Sequence, residues 1–327
     1  MTPIIETRNL TKSFTPGVVA VSGLDLEVQR GSIYGLIGRN GAGKTTTLRL
    51  LMGLLRPDQG TARILGHDFW TAGKEVRQRV AYVSQAQQLP GWMTLTELCR
   101  YASHFYERWD QGVADDLAKR WELPWRRPIA RLSGGEQRQV ALLVALAASP
   151  EVLLLDEPAA GVDAIARRGL LSSLIDVTMR GFGCTILFST HWISDLERVA
   201  DYVGIMDRGR LITSTRLDDL LRMTRRVQVV FDQSAPPADF AIPGAIRAQV
   251  AGPVVSAIAR LTSDTQLDGV RALRGARLNV FPLGLEEIFV ELFGHNASAS
   301  LGATTEAPAA GEPAELAAQD DRIQGID

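Results

Sequence analysis

Gly38-Arg39-Asn40-Gly41-Ala42-Gly43-Lys44-Thr45-Thr46 is the stretch that decides how this chain folds. The apolar run Ile33 to Ile37 precedes it, and the periodic apolar positions Leu48, Leu51, Met52 and Leu55 follow it. That order reads as a strand, a glycine loop and a helix. Main-chain N–H groups can wrap a phosphate only where side chains leave room, and a helix N-terminus adds partial positive charge at the same point. The glycines at 38, 41 and 43 meet the first requirement. The Lys44 ammonium is then expected to reach the β and γ phosphates of a nucleotide. The Thr45 hydroxyl is expected to ligate Mg²⁺, an ion that takes oxygen donors and keeps some of its waters.

A second stretch completes the chemistry. Val152-Leu153-Leu154-Leu155 is apolar at every position, as a strand buried on both faces of a parallel sheet must be, and it runs into Asp156, Glu157 and Pro158. Charges at such a strand end lie where open α/β sheets bind ligands. Asp156 is the expected indirect Mg²⁺ anchor, and Glu157 is placed to polarise an attacking water. Between the two lies Leu132-Ser133-Gly134-Gly135-Glu136-Gln137-Arg138, where Ser133, Gly134 and Gly135 open a predicted helix from Glu136 to Ala148. A hydroxyl and bare main chain at a helix N-terminus can present donors to a γ phosphate.

These three stretches, in this order, resemble the ATP-binding subunits of ABC transporters, and the resemblance covers Ile4 to Ser214, about two thirds of the chain. It implies an α/β fold: a P-loop NTPase of ABC type with a mixed sheet core, an antiparallel β subdomain and an inserted helical lobe. It also implies ATP and Mg²⁺ as ligands, with Gly38 to Thr46 holding the nucleotide. In the family the Ser133-Gly135 loop acts on nucleotide held by the opposite subunit. Gln85, after the strand-like Val80 to Ser84, matches the glutamine that contacts Mg²⁺ and the water. His191, after the predicted strand Thr185 to Ser189, matches the switch histidine at the γ phosphate. Phe14 matches the aromatic that stacks on adenine, and Asp163 matches the acid of the loop that crosses the dimer interface. Two positions depart from the usual pattern: Val162 stands where Leu is usual, and Ala164 where Pro is common. The resemblance further implies an integral-membrane permease as partner, and a homodimer or a paired ATPase half. The expected location is cytoplasmic, peripheral on the inner face of the cell membrane through the permease.

Composition agrees. The chain has 327 residues, 46% hydrophobic and 22% charged, which is ordinary globular material with room for a second unit. A net charge of −2 argues against a nucleic-acid partner. Cys99 and Cys184 have no metal-like spacing and suggest no disulfide framework, as in a reducing compartment. Glu6 and Arg8 interrupt any early apolar segment of signal-peptide type. The longest apolar run, Val140 to Ala148, is about half of what a membrane-spanning helix needs.

The expected organisation is an ATPase domain over residues 1–222, with the helical lobe over about 86–148. A small α+β accessory domain over 223–294 and a disordered tail over 295–327 follow. Ile4 to Leu10 and Val18 to Val28 read as the β subdomain. In the lobe, Thr94-Leu95-Thr96-Glu97 reads as a capping box, and Val113 to Trp121 as a second amphipathic helix. Trp92 and Met93 either line a groove for the membrane subunit or pack inside the lobe. Leu285 to Leu292 resembles the closing helix of ATPase subunits from bacterial exporters whose permease is a separate gene product, for drugs, antibiotics, sodium or polysaccharides. An importer ATPase or a regulatory ATPase is the alternative.

Overall fold

The computed structural model describes residues 2–14, 17–86, 88–178, 183–232, 236–237 and 239–293. The tail expected to be disordered, 295–327, lies outside the described residues.

The chain opens with β1 (Ile5–Ser13) and β2 (Val19–Val28), then β3 (Ile33–Gly38), α1 (Lys44–Leu51), β4 (Gln59–Ile64), β5 (His67–Asp68), α2 (Lys74–Arg77) and β6 (Val80–Val83). The helical lobe supplies α3 (Leu95–Ser103) and α4 (Gln111–Arg120), and α5 (Gly134–Ala147) returns the chain to the body. There follow β7 (Val152–Asp156), α6 (Ala164–Val177), β8 (Thr185–Thr190), α7 (Ile193–Val199), β9 (Tyr202–Asp207), β10 (Arg210–Arg216) and α8 (Leu217–Met223). The last part holds β11 (Thr224–Phe231), β12 (Ala245–Ala251), β13 (Val254–Arg260), α9 (Asp268–Arg271), β14 (Ala276–Pro282) and α10 (Leu285–Phe293).

The central sheet has the order β10-β9-β3-β8-β7-β6. Its first pair is antiparallel and the others are parallel, so the sheet is mixed. The all-apolar strands have a physical reason: successive side chains point to opposite faces, and here both faces are covered. Ile33, Ile37, Leu153 and Leu155 enter a core shared with α5, α6 and the lobe helices. Tyr34, Leu36, Val152 and Leu154 enter the opposite core, under α1 and the β subdomain. That subdomain is a second, antiparallel sheet of order β2-β1-β4-β5.

Local signals set the helix ends. Thr94 caps α3 and Ser133 caps α5, each through a full capping box with Glu97 and Glu136. Helix α5 begins at Gly134, two residues earlier than the sequence suggests, because the Ser133 box already closes its first turn. Helix α1 stops at Leu51, short of the apolar periodicity that runs to Leu55. Gly53 sits at φ +62° against the main chain of Phe69 and Trp70, which turns the chain away there. In the lobe the two candidate groove residues separate: Met93 is buried in the core, whereas Trp92 is 76% exposed.

The accessory unit is an antiparallel sheet of order β12-β13-β11-β14 over its own core of Val227, Val229, Val255 and Leu267. Helix α10 instead reaches back to the ATPase body. Leu285 and Ile288 are buried in the lobe-side core, and the Leu285 main-chain N–H donates to Glu197 of α7 at 2.7 Å.

Candidate active site

The phosphate loop leaves β3 and enters α1 with Gly41 at φ +82° and Gly43 at φ +103°. A side chain at Gly43 would put Cβ 2.3 Å from the Ala20 carbonyl oxygen, and one at Gly38 would lie 2.5 Å from that of Met206. Glycine is therefore required twice over at 43, by conformation and by space. The turn after β9 braces the loop, with the Gly209 N–H donating to the Ala42 carbonyl at 3.0 Å.

Lys44 is buried at the start of α1 and donates to the carbonyls of Gly38 at 2.7 Å and Arg39 at 3.4 Å. Its Nζ is also 3.6 Å from Oε1 of Glu157. Burial pulls the ammonium below its ordinary range, and the Glu157 carboxylate acts in the opposite direction. Thr45 donates its hydroxyl to Asp156 Oδ1 at 2.9 Å, and Ser189 donates to the same oxygen at 2.7 Å. The other oxygen, Asp156 Oδ2, is buried without a hydrogen-bond partner among the described residues. A buried acceptor is seldom left unpaired unless it serves another group. With the Thr45 hydroxyl beside it, this oxygen fits a cation that prefers oxygen donors, such as Mg²⁺.

Glu157 follows the end of β7 in the left-handed region, at φ +51°, uncommon for a residue with a side chain. Contacts with Ser189, Arg138 and His191 help to hold it there. Its N–H donates to the Ser189 hydroxyl at 3.0 Å, its carbonyl accepts from Arg138 at 3.1 Å, and its Oε2 lies 2.7 Å from His191 Nδ1. The strand thus ends at Asp156, one residue before the second carboxylate, and this turn aims Glu157 along the sheet edge towards Lys44 and His191.

A half-open cavity of about 480 Å³ joins these parts. Asn40, Gly41, Ala42, Gly43, Lys44, Thr45 and Thr46 line it together with Gln85, Glu157 and His191. Of the other expected residues, Gly38 serves through its carbonyl to Lys44, Arg39 lines an adjoining cavity with Asp207, and Asp156 is reached through Thr45. Phe14 is exposed, with its N–H donating to the Val18 carbonyl, and Val18 and Val19 line the cavity wall. Ser133, Gly134 and Gly135 are not in this wall: Ser133 and Gly134 face outward, and nothing lies within 4 Å of a side chain built at Gly134. Asp163 is exposed and caps α6 by accepting from Ile165 and Ala166.

Sequence reasoning missed Ser189 and Arg138 as members of the site. Ser189 pairs in register with Asp156 across β7 and β8, a position visible only once the parallel pairing is known. Arg138 is one turn into α5, where a lone arginine carries no local signal.

Residues 21–160 match the family model described as ABC transporter. The chain is 30% identical over 297 residues to the ABC transporter ATP-binding protein YtrB of Bacillus subtilis, with 89% of this chain and 98% of the relative covered. It is 32% identical to the Nod factor export ATP-binding protein I of Cupriavidus metallidurans, with 90% and 98% covered. To a daunorubicin resistance ATP-binding protein of Streptomyces coeruleorubidus it is 34% identical, with 82% and 85% covered. A solved structure of an ATP-binding subunit of an ABC transporter superposes with a TM-score of 0.61 at 28% identity, covering 67% of this chain and 92% of that one. Among the described residues no helix is long and apolar enough to cross a membrane. The chain belongs to the ABC transporter family, as an ATP-binding subunit whose ATP hydrolysis is coupled to transport.

Proposed function

We propose that the chain drives export through a separate membrane permease, working as one of two cassettes joined head to tail, either two copies or a copy and a paired half. The observation that carries this reading is the separation of the two phosphate-binding elements. Asn40 to Thr46 line a cavity, while Ser133 and Gly134, at the N-terminus of a 14-residue helix, are exposed and are not among the residues that line it. An exposed turn of this kind can present its donors to a phosphate held by a second cassette. The exposed Ile165, beside the outward-facing Asp163, suits the same interface. Trp92, exposed on the lobe, suits contact with the permease, and placement at the inner face of the cell membrane follows from that contact.

Thr45, Asp156 and Gln85 are the residues that would hold Mg²⁺, which when bound neutralises charge on the β and γ phosphate oxygens. Lys44 holds the same oxygens from the loop side. Glu157 accepts a proton from the water as that water's oxygen attacks the γ phosphorus and the bond to the ADP oxygen breaks. His191, 2.7 Å from Glu157, orients that carboxylate. Export, rather than uptake, is supported by the relatives that carry Nod factor export and daunorubicin resistance in their names.

Glu157→Gln tests both parts. ATP binding is expected to persist, sedimentation with ATP to show a dimer, and phosphate release to be nearly abolished. A monomer holding ATP would overturn the shared site, and undiminished phosphate release would overturn the assignment of the base.

A further inference from the structure

We propose that a cavity of about 570 Å³ at the joint between α8 and the accessory sheet is a second ligand site, taking a small molecule that carries a phosphate or carboxylate group. Its volume is in the range of sites that enclose small molecules. It shares no lining residue with the nucleotide cavity.

Three elements each bring one guanidinium to this cavity: Arg222 from α8, Arg225 from β11 and Arg271 from α9. Like charges gathered around one space repel unless an anion sits between them. Two of the three have a carboxylate beside them, Arg222 with Asp219 at 2.8 Å and Arg271 with Asp268 at 2.7 Å. Arg225 differs. It is half-buried, donates to the Leu221 carbonyl at 3.0 Å, and has no ion-pair partner among the described residues. A guanidinium is a planar fork that pairs two of its N–H groups with a phosphate or carboxylate, and Arg225 has donors left to do so. Thr262 and Ser263 line the same wall, and Leu267 and Val280 add an apolar side for the rest of such a molecule.

The position gives the site a consequence. Leu217 and Leu220 anchor α8 in the ATPase core, while the Leu261 N–H donates to the Met223 carbonyl at 2.7 Å where α8 passes into the accessory sheet. An anion held by Arg225 therefore sits where the ATPase body passes into the accessory unit.

The test uses the full chain saturated with ADP, so that the first site is filled, and titrates pyrophosphate in one arm and citrate in the other by calorimetry. One further equivalent is expected to bind, and the arm that binds identifies phosphate or carboxylate recognition. Arg225→Gln should weaken it about tenfold or more, as loss of a charged hydrogen bond does. Lys44→Ala, which disables the first site, should leave it unchanged. Because Arg225 also caps the end of α8, Arg271→Gln on the exposed face of α9 serves as the variant least able to harm the fold. No second equivalent in either arm would overturn the proposal. So would binding that survives both arginine substitutions, or binding that disappears with Lys44→Ala.

Discussion

Arg138 donates to the main-chain carbonyl of Glu157 at 3.1 Å, and through its second terminal nitrogen to the carbonyl of Gln85 at 3.5 Å. One side chain on α5 thus fixes the turn that carries the carboxylate and the loop that carries the glutamine. Helix α5 is also the helix that Ser133 caps, so the capped turn and these two contacts belong to one element. Arg138→Ala should lower ATP turnover about ten- to a hundredfold, the scale of a misplaced catalytic group, while leaving ADP affinity near that of the parent. Arg138→Lys, which can keep one contact, should recover part of the rate. Steady-state kinetics beside ADP titration decides it; parental turnover in Arg138→Ala would remove Arg138 from the site.

Gly43→Ala should do more damage than its one methyl suggests. The residue is at φ +103°, and the new carbon would meet the Ala20 carbonyl at 2.3 Å, main chain that has little freedom to move. Strain in such a conformation costs about 1–3 kcal/mol before the clash is counted. The expected outcome is a lower melting temperature and no measurable ATP binding. The comparison is Gly41→Ala, which is also left-handed but meets nothing within 4 Å and should retain weak binding.

What the sequence carried was whatever is written in adjacent residues. The glycine loop, the buried strands and the capping boxes at Thr94 and Ser133 all use signals a few residues long, and they recur in the structure. What escaped is long-range. Gly53 ends α1 because Phe69 and Trp70 lie behind it, and Ser189 serves Asp156 because two strands align 33 positions apart. The return of α10 to α7 depends on Glu197 accepting from Leu285, 88 positions away. None of these pairings has a local pattern. The left-handed turn at Glu157 was hidden for a related reason: nothing in Asp-Glu-Pro announces it, and Ser189 and Arg138 impose it from elsewhere.

Trp192, next to His191, lies under the Arg167 guanidinium, 4.4 Å from the ring centroid. Arg167 belongs to the first turns of α6, the helix that Asp163 caps, so this contact joins the loop expected at the dimer interface to the histidine beside Glu157. A cation over an indole is worth about 0.5–1 kcal/mol at a partly exposed site. Trp192→Ala should therefore cost about that much stability and should also lower kcat, with Trp192→Phe intermediate in both. A loss of stability with kcat untouched would reduce the contact to simple packing.

Glu151, just before β7, gathers three arginines, Arg79 at 2.7 Å, Arg108 at 3.1 Å and Arg30 at 3.3 Å. The hydrogen bonds from Arg79 lead in holding its carboxyl down at about 2, with Arg30 and Arg108 adding to the effect. A carboxyl lower in the folded chain than in the unfolded one stabilises the fold fully above the ordinary carboxylate pKa of 4.5. That contribution declines as pH falls below 4.5 and is gone below about 2. Because the arginines are partly open to solvent, screening reduces it to about 1–2 kcal/mol. Glu151→Gln should be less stable than the parent by that amount at pH 7 in denaturant unfolding. The gap should narrow at pH 3 and shrink again in high salt at pH 7. An equal gap at both pH values would show that Glu151 stabilises the start of β7 by shape and neutral hydrogen bonding instead of charge.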